Sequence, residues 1–266
     1  MALRRNAFDM TEDRFARYPS LSEKVVLITG GGSGIGASMV KHFARQGAKV
    51  AFLDLAEDIS RELVKNLTLR AQHSPLFIRC DLTDISALQS SIREAEAKLG
   101  SVEVLVNNAA NDERHKWEEI TPEYWDRMME VNLRHHFFAI QGVAPGMKTR
   151  GQGSIINMSS ISWMIPSTGL PAYVTAKAGI VGLTRTMARE LGTSGIRVNC
   201  VLPGAILTEK QRRLWWTPEY EKQIMTGQSI KRALVPDDVS RLVLFLAADD
   251  SSAITGQNYI VDGGWV

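Results

Sequence analysis

Two residues of one helix-like stretch could do chemistry together. In AYVTAKAGIVGLTRTMARELG, Tyr173 and Lys177 stand four apart, which places both side chains on one face of a helix. Most Tyr–Lys pairs at this spacing are solvated decoration. An ammonium beside a phenol nevertheless favours the phenolate. A phenol of pKa about 10 lowered by roughly 3 units, about 4 kcal/mol of differential stabilisation, is a base near neutral pH. Ser160, at the end of a strand-like run, carries a hydroxyl that can donate to a reacting oxygen or simply cap a turn.

A second group of residues could hold an anion. Thr29-Gly30-Gly31-Gly32-Ser33-Gly34-Ile35-Gly36 follows a β-branched run and opens onto helical spacing. Glycines let the backbone approach a pyrophosphate, and the N–H groups at a helix start attract its charge. Asp54 ends the next apolar run, where an acid can take the ribose hydroxyls of a bound dinucleotide. It would repel a 2′-phosphate, and LDLAED offers no Arg or Lys, so NAD is expected over NADP. Asp81, in Cys80-Asp81-Leu82, can bond an adenine edge or cap the following helix. Asn107 and Asn108 can line the cofactor, cross-link neighbouring loops, or do both.

The elements that must position these groups are legible as alternation. Strand-length apolar runs occur at 25–29, 50–54, 75–80, 102–107, 154–160, 196–202 and 258–263. Between them lie stretches of helical spacing, such as Ile35, Met39 and Phe43, or Leu88, Ile92 and Ala95. Continuous apolar runs predict strands covered on both faces, hence an α/β protein with a single doubly wound parallel sheet in a three-layer α/β/α sandwich. Ligands on such sheets sit beyond the carboxyl ends of the strands, where the residues above fall. Residues 1–23 read as a polar extension and 24–266 as one domain. Within it 204–235, with Trp215, Trp216 and Tyr220 among charges and Pro218 opening a short helix, is an insertion suited to a substrate lid.

Composition narrows the partners. Lys+Arg 31 against Asp+Glu 29 leaves a net charge of +2 without a basic block, so neither nucleic acid nor an anionic membrane is expected. The two cysteines, Cys80 and Cys200, lie outside any CxxC, which fits a reducing, cytoplasmic setting. Arg4 and Arg5 precede no apolar stretch, and no run approaches a membrane span. His135 and His136, being adjacent, are expected on different sides of a helix, and no His cluster supports a metal.

Taken together, TGGGSGIG, Asp54, Asn107 to Ala110, Asn132 in EVNL, Ser160, Tyr173-x-x-x-Lys177 and Pro203-Gly204 with Thr208 resemble the short-chain dehydrogenase/reductase family from about Lys24 onward. Ala110 stands where that family usually has Gly. The resemblance implies a Rossmann-type fold and hydride transfer between a nicotinamide and an alcohol or carbonyl. It implies Tyr173 as general base, Lys177 as ribose ligand and depressor of the Tyr173 pKa, Ser160 as partner of the substrate oxygen, and Asn132 as anchor of a water relay. NAD would be held by Gly30, Ser33, Gly34, Ile35, Gly36, Asp54, Asp81, Leu82, Asn108, Tyr173, Lys177, Pro203, Ile206 and Thr208, and the subunits would pair into a homotetramer.

NDERHKW at 111–117, VAPGMKTRG and MSSISW are similar to the branch of that family that oxidises aldoses such as D-xylose at the anomeric carbon. A sugar would then meet Asn111, Arg114, His115, Ser160, Trp163 and Tyr173. Asn111 to His115 supply donors and acceptors, though such a loop can equally be a solvated one, and Trp163 can stack on a sugar's apolar face. The alternatives are oxidation or reduction of another carbonyl, a keto-deoxy sugar acid or a 3-oxoacyl group, and a non-catalytic NAD sensor. A sensor has no need of the Tyr–Lys pair.

Overall fold

The computed structural model describes residues 15–266; the first fourteen residues of the expected extension lie outside the described residues. The strands are β1 (Val25–Thr29), β2 (Lys49–Asp54), β3 (Leu76–Arg79), β4 (Val104–Asn107), β5 (Gly153–Met158), β6 (Ile196–Pro203) and β7 (Asn258–Val261). Their order is β3-β2-β1-β4-β5-β6-β7, and each neighbouring pair is parallel. The expected apolar runs are these strands. The run at 154–160 leaves the sheet at Met158; Ser159 stays buried with its hydroxyl donating to Lys177 O at 2.6 Å, and Ser160 is half-buried beyond it.

Burial explains the continuous runs. All five residues of β1 are buried, and they divide by parity. Val26 and Ile28 pack with Met39 and Phe43 of α1 (Gly34–Arg45) and Val239 and Val243 of α9 (Pro236–Ala247). Val25 and Leu27 pack on the opposite face with Leu88 and Ile92 of α3 (Ile85–Leu99) and Ile140 and Val143 of α5 (His135–Arg150). Each such side chain contributes about 1.5–3 kcal/mol of burial, so both helical layers are held by the same strand.

The chain reverses its winding between β1 and β4. Their register pairs Thr29 with Asn107, and the next pairs Asn107 with Asn157, so the strand ends finish level and open a crevice there. Asn107 Nδ2 donates to Asn157 Oδ1 at 2.9 Å, and Asn157 Nδ2 to Thr184 Oγ1 at 3.0 Å. This buried chain ties β4 and β5 to α6 (Pro171–Gly192), the helix that carries Tyr173 and Lys177.

Residues 204–235 rise from that edge as α7 (Glu209–Leu214) and α8 (Pro218–Gly227). Thr217 caps α8 and Pro218 opens it, the start expected from the sequence. Ile206 and Leu234 are both buried and bridge, with Leu207 N–H donating to Leu234 O at 2.8 Å, so the insertion returns to its own root. Among the described residues no helix is long and apolar enough to cross a membrane.

Residues 15–23 belong to the packed body. Tyr18 N–H donates to Gln46 Oε1 at 2.9 Å, its ring lies 6.5 Å from that of Phe245, and Leu21 is fully buried beside α1 and α9. Leu21→Ala is therefore expected to cost about 2–5 kcal/mol in urea unfolding, and a loss under about 1 kcal/mol would mark the segment as peripheral.

Candidate active site

The glycine turn is held from below. Gly30 N–H donates to Leu53 O at 2.7 Å and Gly32 N–H to Asp54 Oδ2 at 2.8 Å. A Cβ on Gly36 would lie 1.8 Å from Gly30 O, so α1 can approach the turn only because residue 36 has no side chain. Gly34, at φ +53°, takes the left-handed conformation at the helix start. Ser33 is exposed and makes no side-chain cap, so the first-turn N–H groups of α1 have no intrahelical acceptor and Ile35 continues the turn. The cradle, closed to a Cβ and rich in free donors, fits a dinucleotide pyrophosphate.

The remaining residues expected at the cofactor divide. Both oxygens of Asp54 accept backbone N–H groups, Oδ1 from Ala56 at 2.9 Å, so the acid shapes the turn as well as facing the crevice. A basic group does stand next to it: the register pairs Asp54 with Arg79, whose Nε lies 3.8 Å from Glu57. Asp81 does not cap α3. Its Oδ1 accepts from the N–H and hydroxyl of Thr83, at 2.9 and 2.7 Å, while Asp84 caps the helix through Ala87 N–H. Leu82 turns its side chain into the core. Asn108 cross-links: its N–H donates to Thr29 Oγ1 at 2.9 Å, and Nδ2 donates to Thr29 O and Gly30 O at 3.1 and 2.9 Å. Pro203 ends β6, Ile206 is buried at the root of the insertion, and Thr208 caps α7 with its methyl 3.3 Å from where a Gly34 Cβ would be. The two halves of the crevice therefore meet at Gly34 and Thr208.

Tyr173 and Lys177 lie side by side on α6, with Lys177 Nζ 5.5 Å from the Tyr173 ring centre. Lys177 is 1% exposed, and its Nζ donates to Met158 O at 2.8 Å. Burial pulls its pKa down to about 8. The expected lowering of the Tyr173 pKa is not found. Burial pushes the phenol well above its ordinary value, the charge of Asp112 adds to this, and the hydrogen bond with Ser160 is what opposes it. The Lys177 ammonium donates to a carbonyl, Met158 O. Ser160 also accepts from Ser162 N–H at 3.1 Å.

Asn132 sits in a π turn (Glu130–Arg134) between α4 (Pro122–Met129) and α5, a widening common at functional sites. Its Oδ1 accepts from Asn111 N–H at 2.8 Å and its Nδ2 donates to Met128 O at 3.0 Å, fixing the loop after β4. The expected splaying of His135 and His136, which begin α5 just after this turn, is not found. Both are fully buried with ring centres 4.4 Å apart. Burial lowers the His135 pKa to about 3 and holds His136 neutral.

Of the residues expected to meet substrate, Asn111 stands at the crevice, and His115 lines a small pocket with Glu113, Tyr124 and Tyr173. The His115 ring packs on Tyr124 at 4.1 Å. Arg114 is turned to the insertion instead, its guanidinium 4.4 Å from the Trp215 ring centre. Trp163 is exposed in a short turn (Ile161–Trp163) just past Ser160, open to a ligand. Sequence reasoning left Lys210 and Gln211 unassigned. They grip Asp112 across a separation in sequence that no local pattern marks.

Comparison with known proteins agrees with this geometry. The family model described as Enoyl-(Acyl carrier protein) reductase matches residues 30–266. The D-xylose 1-dehydrogenase of Caulobacter vibrioides is 52% identical over 250 residues, 94% of this chain and 98% of that protein. A protein named probable galactose dehydrogenase GalD, from Rhizobium meliloti, is 51% identical over 94% of this chain and 97% of its own length. A solved short-chain type dehydrogenase/reductase from Mycobacterium ulcerans superposes with a TM-score of 0.88 at 26% identity, covering 92% of this chain and 90% of that one. Fold, crevice and near-complete coverage by such relatives lead to one conclusion: the chain belongs to the short-chain dehydrogenase/reductase family, whose dehydrogenases use a nicotinamide cofactor.

Proposed function

We propose that the protein is an NAD-dependent aldose 1-dehydrogenase acting on D-xylose or a similar pentose or hexose, and that it works as a cytoplasmic homotetramer. The observation that carries the reading is a half-buried Tyr173–Ser160 pair at the foot of a crevice flanked by the polar loop at 111–115, in a chain half identical to two sugar dehydrogenases. A bound NAD+ would supply the acceptor for the hydride that leaves C1 as the sugar becomes its lactone.

The residues divide the remaining work. Ser160 donates to the C1 oxygen and holds it against Tyr173, whose phenolate takes the hydroxyl proton. Lys177 holds the cofactor ribose, and Asn132 fixes the loop bearing Asn111 while anchoring the proton's way out. Gly30, Ser33, Gly34, Ile35 and Gly36 carry the pyrophosphate. Asp54 binds the adenosine ribose, and Asp81, Leu82 and Asn108 border the adenine side. Pro203, Ile206 and Thr208 border the nicotinamide end. NAD over NADP is supported by Asp54 and by Glu57, which engages Arg79.

Cofactor reduction followed across a panel of aldoses and sugar acids, with NAD and NADP side by side, tests the assignment. Turnover of a free aldose with NAD preferred is expected; turnover of sugar acids alone, or of no aldose, overturns it. In that assay Tyr173→Phe is expected to lower kcat by about 10²–10⁴-fold with NAD affinity retained, and a variant keeping most of its rate would remove Tyr173 as base. Because the phenol lies above its ordinary pKa, the wild-type rate is expected to climb with pH through neutrality, and a rate falling over pH 6–9 would contradict the phenolate.

A further inference from the structure

At the adenosine end of the crevice two arginines converge on one carboxylate. Glu57 opens α2 (Glu57–Thr68), and its Oε1 accepts from Arg61 Nε at 2.8 Å, with a second guanidinium nitrogen of Arg61 2.7 Å from the same oxygen. The other oxygen, Oε2, lies 3.8 Å from Arg79 Nε. Arg79 ends β3 and pairs in register with Asp54, so it stands at the strand end next to the acid assigned to the adenosine ribose. Arg61 comes from one turn further along α2, its guanidinium 5.9 Å from the ring centre of Phe77 on β3. Among the described residues Glu57 is the carboxylate within ion-pair reach of either arginine, and both arginine side chains are well exposed, 68% and 63%.

Forked guanidinium groups beside a ribose are suited to a 2′-phosphate, a dianion whose oxygens they can take two at a time. This chain carries two such forks and places one carboxylate between them. Asp54 does not occupy them. Its oxygens accept from Gly32 N–H and Ala56 N–H, at 2.8 and 2.9 Å, which ties it to the glycine turn and the start of α2.

We infer that Glu57 is a specificity-determining residue: it occupies Arg61 and Arg79, and so denies a 2′-phosphate the cations that would offset Asp54. The inference rests on the adenosine ribose lying at Asp54, as proposed above. Asp54 repels the phosphate directly, whereas Glu57 competes with it for the same donors. Exposed ion pairs are individually weak, so the competition is modest, and it adds to the repulsion rather than replacing it. With Asp54 neutralised the arginines remain occupied; with Glu57 neutralised they are released while the repulsion stays.

Adenosine 2′,5′-bisphosphate and adenosine 5′-monophosphate differ only by the phosphate in question, and calorimetry reads their binding to the full chain without turnover. The wild type is expected to bind the monophosphate more tightly. Glu57→Gln, isosteric and on an exposed turn, is expected to tighten the bisphosphate about tenfold and to leave the monophosphate within about twofold. Combining it with Asp54→Asn, which keeps an acceptor for Gly32 N–H, is expected to favour the bisphosphate beyond either single variant. The gain from Glu57→Gln shrinks as salt is raised, and adding Arg61→Gln and Arg79→Gln removes it. A bisphosphate affinity that Glu57→Gln leaves unchanged, or a gain that survives the loss of both arginines, overturns the inference. A wild type that already binds the bisphosphate more tightly overturns the NAD preference, while the response to Glu57→Gln decides the masking of the arginines separately.

Discussion

One carbonyl oxygen organises the crevice. Gly30 O lies so close to residue 36 that a methyl there would overlap it, and the same oxygen accepts from Asn108 Nδ2 at 2.9 Å. The first contact lets α1 point its N-terminus at the turn; the second fastens the turn to the loop leaving β4. β1 and β4 are the strands between which the winding reverses, so this pair of contacts holds open the gap in which a dinucleotide can lie. Asp54, beneath the turn, and Thr208, above it, complete the enclosure.

At the other end of the crevice, burial pushes both members of the Tyr173–Lys177 pair towards neutrality, the phenol upward and the amine down to about 8. A low-dielectric site of this kind makes each added charge count for more than it would in water.

The fold was legible because its signals are local. Apolar runs such as VVLIT at 25–29 and VLVN within 102–107 announce strands buried on both faces, and glycine spacing announces the turn after the first of them. The candidate site was legible where its members are set by local elements: Tyr173 and Lys177 share a helix and Ser160 follows a strand. What escaped depends on partners distant in sequence or on small departures from regular geometry. Asp112 and Lys210 are 98 residues apart. The register brings Arg79 beside Asp54 from another strand. The side chains of His135 and His136 converge although the residues are adjacent in α5, and Asp84 rather than Asp81 caps α3 because the chain turns three residues later than the strand pattern suggests.

The pairing of Ile206 with Leu234 means that the segment between them begins and ends at nearly one point, so its length and composition can change while the sheet beneath stays as it is. A catalytic platform shared by relatives acting on different molecules gains from such an arrangement, because selectivity can be rewritten as an exchangeable cassette without disturbing the machinery that moves the hydride.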